Sequence, residues 1–140
     1  MNGRVLTPDD FREMPWANGL GSTVEMLRVD DATGVMAWRL SMAQVVEDGA
    51  FSEFAGIERN LTVIEGPGFD LVGEKITLRA DPLVPVAFAG DVAISAANVT
   101  GKVIDFNVMV ARSLGAFGRA RGWCGLGSCR QSFRRARGRR

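Results

Sequence analysis

The sequence contains no histidine among its 140 residues. This absence excludes histidine-ligated metal sites, an imidazole general base, and Ser-His-Asp or Cys-His catalysis. The only cysteines, Cys124 and Cys129, lie near the carboxyl end, so the rest of the chain shows no disulfide framework. The apolar runs are too short to span a bilayer, and the amino terminus lacks the apolar stretch of a signal peptide. We therefore expect a cytoplasmic protein with no membrane partner.

The charges divide the chain into two parts. Residues 1–113 carry nine Lys or Arg and sixteen Asp or Glu, a net charge of −7, whereas residues 114–140 carry eight Arg and no acid. We predict a folded domain over 1–113 and a basic Arg- and Gly-rich tail over 114–140, because this composition is typical of a solvated, disordered extension. A nucleic-acid-binding arm is the alternative interpretation of the tail, although nucleic acid is not the expected partner.

The folded part is predicted to consist of short β-strands separated by Gly, Pro, Asp and Asn. Apolar and polar residues alternate over 36–43 and 103–110, and a β-branched run covers 61–65. The pattern predicts two hairpins, one joining 69–72 to 75–78 and one joining 84–88 to 92–96, and a short helix over 7–14 capped by Thr7. Many short, evenly spaced strands predict an all-β sandwich or barrel rather than a βαβ protein.

Four blocks of sequence carry a resemblance to a known family. They are WANGLGSTVE at 16–25; WRLSMA, GAFS, FAGIER and LTVIEG between 38 and 66; PVAFAGD at 85–91; and DFNVM at 105–109. In this order they resemble the HutD/Ves family, a cupin-like family associated with histidine utilisation in bacteria. The resemblance covers roughly residues 15–110 and stops near residue 113, where the basic tail begins.

The resemblance implies an all-β, cupin-like fold, that is, a double-stranded β-helix or jelly-roll barrel. Family members usually continue into a second lobe, so the chain resembles the N-terminal lobe of a bicupin-like protein. A lobe that packs on a second one exposes an apolar patch when alone, which favours aggregation or a homodimer. Where ordinary cupins carry metal-binding histidines, this sequence has Gly49, Phe51, Ser52 and Arg59, so we expect no metal and no cofactor.

Arg39, Ser41 and Arg59 are the first candidate binding residues. Arg39 and Ser41 share one face of their strand, which faces either solvent or a cavity where a guanidinium binds a carboxylate. Arg59 is predicted to point inward with the apolar side chains that follow it on its strand. A buried Arg needs a partner, and the sequence leaves the choice between Glu25 and Asp105 open.

Asp105, Asn107, Trp16 and Asn18 complete the candidate site. Asp105 and Asn107 share one face of a β-prone strand, where they either face water or form an internal network that orients a small polar ligand. Trp16 and Asn18 belong to a Gly-rich loop, which is either simple turn chemistry or a lid whose indole stacks on a planar ligand.

These residues predict metal-independent binding or sensing of a small carboxylate-bearing ligand, without catalysis as the first expectation. The family resemblance implies a link to histidine utilisation, with urocanate or formylglutamate as the ligand. A metal-independent enzyme acting on the same intermediates is the alternative, and it would need Asp105, Glu25 or Glu58 as its titratable group. Nucleic-acid binding through the tail is a third hypothesis.

Overall fold

The computed structural model describes residues 3–114, which form ten β-strands and two short 3₁₀ turns. The 3₁₀ turns are Pro8–Asp10 and Arg112–Leu114. The strands are β1 (Arg12–Pro15), β2 (Gly21–Asp30), β3 (Met36–Val45), β4 (Gly49–Ala50), β5 (Ile57–Glu65), β6 (Phe69–Gly73), β7 (Thr77–Ala80), β8 (Val86–Ala89), β9 (Ile94–Ala97) and β10 (Val103–Ala111). The structure does not describe residues 115–140, which include both cysteines and all of the predicted tail except Leu114. Within 3–114, no helix has the length and apolar character that crossing a membrane requires.

The strands form two antiparallel sheets. The larger has the order β1-β2-β3-β10-β5-β8, and the smaller has the order β4-β9-β6-β7. From β4 to β10 the chain crosses repeatedly between the sheets, which is the winding of a jelly roll. The all-β, cupin-like prediction is thus confirmed at the level of architecture.

The two hairpin predictions have different outcomes. β6 and β7 pair as predicted, with Leu71 opposite Leu78. The second hairpin is wrong, because β8 pairs with β5 in the larger sheet whereas β9 pairs with β6 and β4 in the smaller one. A short turn between two strands therefore carries the chain from one sheet to the other, an outcome that local sequence does not distinguish from a hairpin.

The predicted helix over 7–14 is wrong except for its first turn. Thr7 caps the 3₁₀ turn, and its backbone N–H donates to the Asp10 carboxylate at 2.9 Å. From Arg12 onward the chain pairs with β2 instead, with Met14 opposite Thr23. An isolated eight-residue helix is marginal in water, so pairing with an existing sheet edge determines the outcome.

The apolar core lies between the sheets, toward one end. Side chains alternate along β5 and β10 so that every second residue is buried. Leu61, Val63 and Val103 from the larger sheet pack there against Phe69 and Leu71 from the smaller one. A smaller cluster lies at the other end of the larger sheet and contains Met36, Ile57, Met109 and Ala111.

The larger sheet has a polar inner face and an apolar outer face at β3. Arg39 and Ser41 are buried, whereas Trp38 and Leu40 on the other side are only partly buried. The alternation over 36–43 groups Met36 with Trp38, but the register shifts between Val29 and Asp30 of β2, and Met36 packs in the smaller inner cluster. Strand periodicity therefore grouped the side chains correctly from Arg39 onward, and only sheet packing determined which group lies inside.

Candidate functional site

A cavity of about 460 Å³ lies on the inner face of the larger sheet. β3, β5 and β10 form its floor, and the loop after β1 and the segment 50–54 form its sides. Six of the predicted site residues line it: Trp16, Asn18, Arg39, Ser41, Arg59 and Asn107. The smaller sheet contributes only Ala50 to the wall, because its other strands cover the core at the opposite end.

Strand register brings the polar side chains of the floor together. Asn107 on β10 lies opposite Ser41 on β3, and the next inward residue, Met109, lies opposite both Arg39 and Arg59. Side chains directly opposite one another in antiparallel strands are close neighbours. Three strands thus place two guanidinium groups, an amide and a hydroxyl in one patch.

Arg39 is held by a carboxylate from the neighbouring strand. Its Nε donates to Glu25 Oε2 at 2.6 Å, and both side chains are largely buried. β2 positions Glu25 directly opposite Ser41, two residues from Arg39. Glu25 is therefore the partner of Arg39, not of Arg59, and its negative charge compensates the first of the two cations.

Arg59 is enclosed by an amide, a backbone carbonyl and three aromatic rings. Its Nη2 donates to Asn107 Oδ1 and its Nη1 to the Ser52 carbonyl, both at 3.2 Å. Its Cζ lies 5.0 to 5.6 Å from the ring centroids of Phe51, Phe54 and Phe88, which is cation–π range. Burial lowers the pKa of Arg59 to about 10, partly opposed by the charge of Asp105, so the group remains a cation at neutral pH.

This aromatic enclosure was not predicted from the sequence. Phe51 and Phe54 stand in an irregular segment before β5, and Phe88 lies on β8 at the sheet edge, opposite Arg59. The only sequence signal is that Phe51 and Phe54 occur three residues apart next to Arg59's strand. No local periodicity connects these positions, so their convergence required the fold.

Asp105 lies beneath the cavity wall rather than on it. Its side chain is fully buried, and Oδ1 accepts a hydrogen bond from Asn107 Nδ2, while Oδ2 has no partner. Burial raises its pKa to about 7, although the Asn107 hydrogen bond and the charge of Arg59 act in the opposite direction. Asp105 therefore reaches the cavity only through Asn107 and Arg59.

The loop after β1 combines turn chemistry with a place in the cavity wall. Asn18 Oδ1 accepts from the Leu20 backbone N–H at 3.0 Å, and Gly19 has a φ of +72°. Trp16 Nε1 donates to Thr23 Oγ1 at 2.8 Å, and the indole meets Phe51 edge-on at a centroid distance of 6.4 Å. The two interpretations of this loop are thus compatible: a fixed turn presents Trp16 and Asn18 to the cavity.

The remaining enzyme candidate from the sequence, Glu58, does not belong to the cavity. Its Oε1 lies 3.4 Å from Arg112 Nη1, beside the second 3₁₀ turn. The residues that line the cavity within 3–114 include two arginines and no Asp, Glu or Lys. A carboxylate general base is accordingly not in contact with this space.

The two packed sheets of the jelly roll give the chain a cupin-like fold. The Cupin_2 domain of an XRE-family transcriptional regulator from Enterobacter cloacae superposes with a TM-score of 0.52 at 15% identity, over 66% of this chain and 96% of that one. At that identity the likeness concerns the fold alone.

The chain belongs to the HutD family, whose model matches residues 8–125. It is 39% identical over 113 residues to the uncharacterised 21.2 kDa protein in the hutC 3' region of Pseudomonas putida, covering 77% of this chain and 58% of that protein. It is 37% identical to the protein Ves of Citrobacter koseri, over 74% of this chain and 56% of Ves. These matches confirm the family resemblance of the sequence.

The structure of HutD from Pseudomonas fluorescens, solved in a formate condition, is also similar. It superposes with a TM-score of 0.69 at 40% identity, over 76% of this chain and 59% of that one. The chain thus spans somewhat more than half the length of the relatives it matches. The activity, ligands and partners of these longer relatives are therefore proposals for this chain.

The cavity does not fit the metal ion that cupin folds often hold. Its floor presents guanidinium groups, which have no lone pair for a metal and repel a cation. In the described part of the chain, no group of three His, Cys, Asp or Glu is placed to hold a metal ion.

Proposed function

We propose that this chain binds a small carboxylate-bearing molecule in the cavity, as a non-enzymatic binding or sensing protein linked to histidine utilisation. The observation that carries the proposal is the presence of two buried guanidinium groups, those of Arg39 and Arg59, in the wall of one cavity. A guanidinium recognises a carboxylate through paired, charge-assisted hydrogen bonds. Ser41 and Asn107 lie in the neighbouring row of the floor and add neutral hydrogen-bonding groups.

The charges around the cavity favour an anion. Glu25 compensates Arg39 through the ion pair, whereas the nearest side-chain partner of Arg59 is the neutral amide of Asn107. While Asp105 keeps its proton, Arg59 is a buried cation without a counter-ion, which is costly, and the carboxylate of a ligand would offset that cost. The native protein therefore gains more from an anion in this cavity than from a neutral molecule of the same shape.

The size and the side walls of the cavity favour a ligand with a flat apolar body. Binding cavities for small molecules commonly measure about 300–1,000 Å³, and the 460 Å³ here lie in that range. Trp16, Phe51 and Phe54 line the sides, and aromatic rings pack well on planar groups. A carboxylate on the arginines would leave the rest of the ligand against these rings.

The link to histidine utilisation rests on the family. The Pseudomonas putida relative lies in the hutC 3' region by its name, and the chain belongs to the HutD family. Urocanate, a planar imidazole acrylate, and formylglutamate, a dicarboxylate, are the pathway intermediates that we propose as ligands. Catalysis is the less favoured alternative. The carboxyl of Asp105 has a pKa of about 7, but Asp105 does not line the cavity.

A thermal-shift and calorimetric panel with urocanate, formylglutamate, glutamate and histidine tests the proposal. A ligand that binds only the native state raises its stability, so at least one acid should raise the Tm of the full chain. Arg59→Gln should abolish that shift, whereas the exposed control Arg79→Gln, on the β7 side of the smaller sheet, should retain it. No shift with any acid at millimolar concentration would reject carboxylate binding.

A further inference from the structure

We propose that Asp105, which does not touch the ligand, sets the ligand charge that the cavity accepts: with its proton in place the cavity takes a singly charged carboxylate, and loss of the proton expels it. This inference rests on the proposed function and deepens it. It assigns a specificity-determining role to a residue behind the cavity wall and makes ligand binding dependent on a proton.

The connection between Asp105 and the cavity is a continuous chain of side chains. Asn107 Nδ2 donates to Asp105 Oδ1, and Asn107 Oδ1 accepts from Arg59 Nη2 at 3.2 Å. Arg59 and Asn107 both line the cavity, whereas Asp105 is fully buried below them. A charge on Asp105 is therefore felt at the cavity through its nearest cation, in an environment that screens charges poorly.

Few charged groups surround Asp105, so its protonation dominates the local charge. Arg59 on β5 faces it, Arg39 on β3 lies beyond Arg59's guanidinium, and Glu25 on β2 pairs with Arg39. Directly opposite it on β5 and β3 stand Val63 and Ala43, which are apolar. From the smaller sheet, the inward-facing side chains of the core are apolar as well.

Counting these charges gives the selectivity. With Asp105 protonated, Arg39, Arg59 and Glu25 leave a net charge of +1, which one ligand carboxylate neutralises. With Asp105 ionised, the net charge is zero, and a bound carboxylate leaves an uncompensated buried negative charge, which is costly. A bound dicarboxylate leaves an uncompensated negative charge even when Asp105 is protonated. The cavity should therefore prefer a monocarboxylate to a dicarboxylate.

Calorimetric titration of the full chain from pH 5.5 to 9 tests the inference with probes that do not titrate in that range. The probes are cinnamate, a planar monocarboxylate; cinnamamide, its uncharged analogue; and formylglutamate, a dicarboxylate. Because one proton is lost from the binding-competent form, cinnamate affinity should fall about tenfold for each pH unit above about 7. Cinnamamide binding should not depend on pH, and formylglutamate should bind more weakly than cinnamate at pH 6.

Asp105→Asn is the matched variant, because it keeps the shape and the hydrogen-bond acceptor but cannot ionise. It should bind cinnamate as the unmodified chain does at pH 6 and retain that affinity at pH 8.5. The carboxyl carbon chemical shift of Asp105, followed by NMR, should titrate near 7 without cinnamate and at higher pH with it.

The outcomes separate the two proposals. Cinnamate affinity that does not change with pH, or that falls equally in Asp105→Asn, overturns the role of Asp105 and leaves carboxylate binding intact. Formylglutamate bound as tightly as cinnamate at pH 6 also overturns it. If cinnamate and formylglutamate do not bind at any pH, and no acid of the thermal-shift panel raises the Tm, the proposed function is overturned, and this inference with it.

Discussion

The substitution Asp105→Asn should stabilise the protein at pH 8 and leave its stability unchanged at pH 4. Asp105 is fully buried, and burial raises its pKa in the folded state from the ordinary 3.8 to about 7. Between these two values the folded chain holds a proton that the unfolded chain has lost. The free energy of unfolding must therefore fall as the pH rises through this range, and level off above about 7.

The magnitude follows from the two pKa values. At about 1.36 kcal/mol for each pH unit between them, the loss from pH 4 to pH 8 is at most about 4 kcal/mol. The variant carries an amide in place of the carboxyl, and its oxygen still accepts from Asn107 Nδ2. Because the amide does not ionise, the variant escapes this loss and should be more stable than the unmodified chain by a similar amount at pH 8.

Urea denaturation of both chains at intervals from pH 4 to pH 8.5 measures the effect. The chain contains no histidine, so the group that most often titrates in this window is absent. Asp10, Asp31 and Asp70 have lowered pKa values because each accepts hydrogen bonds. Their contribution is lost only as the pH falls below about 4, outside the window.

Asp9→Asn is the control, since it removes an exposed carboxyl from the same protein. Its stability curve should run parallel to that of the unmodified chain across the window. The reasoning about Asp105 would be refuted by a free energy of unfolding that stays level or rises from pH 5 to pH 8 in the unmodified chain. It would also be refuted by an equal decline in Asp105→Asn.

Three further substitutions have definite expected outcomes. Glu25→Gln removes the counter-ion of Arg39 and raises the net charge around the cavity from +1 to +2 when Asp105 is protonated. Calorimetry should therefore show formylglutamate gaining affinity relative to cinnamate, and an unchanged affinity ratio would contradict the charge count. Trp16→Phe removes the hydrogen bond from Nε1 to Thr23 and should cost about 1 kcal/mol in urea denaturation, an effect that disappears if the loop is not fixed by this bond. Leu61→Ala, at a fully buried core position, should cost about 2–5 kcal/mol, and a smaller loss would show that the core is less tightly packed than described.

Much of the site could be found from the sequence because strand periodicity is local. Alternation along β10 placed Asp105 and Asn107 on one face, and the apolar neighbours of Arg59 indicated its inward direction; both features appear in the structure. The pairing of charges could not be found in the same way. Glu25 and Asp105 were equivalent partners for Arg59 until strand register placed Glu25 beside Arg39.

The sequence by itself determined the chemistry that is excluded and the strands that exist. It contains no histidine. Its alternating residues specify β3 and β10, because side chains in an extended chain alternate between two faces, and a β-branched run specifies the second half of β5. Tertiary structure alone decided that the face of β3 with Arg39 and Ser41 turns inward while Trp38 and Leu40 face outward. Side-chain alternation defines two faces but not their environment, which depends on the elements that the rest of the chain packs against each face.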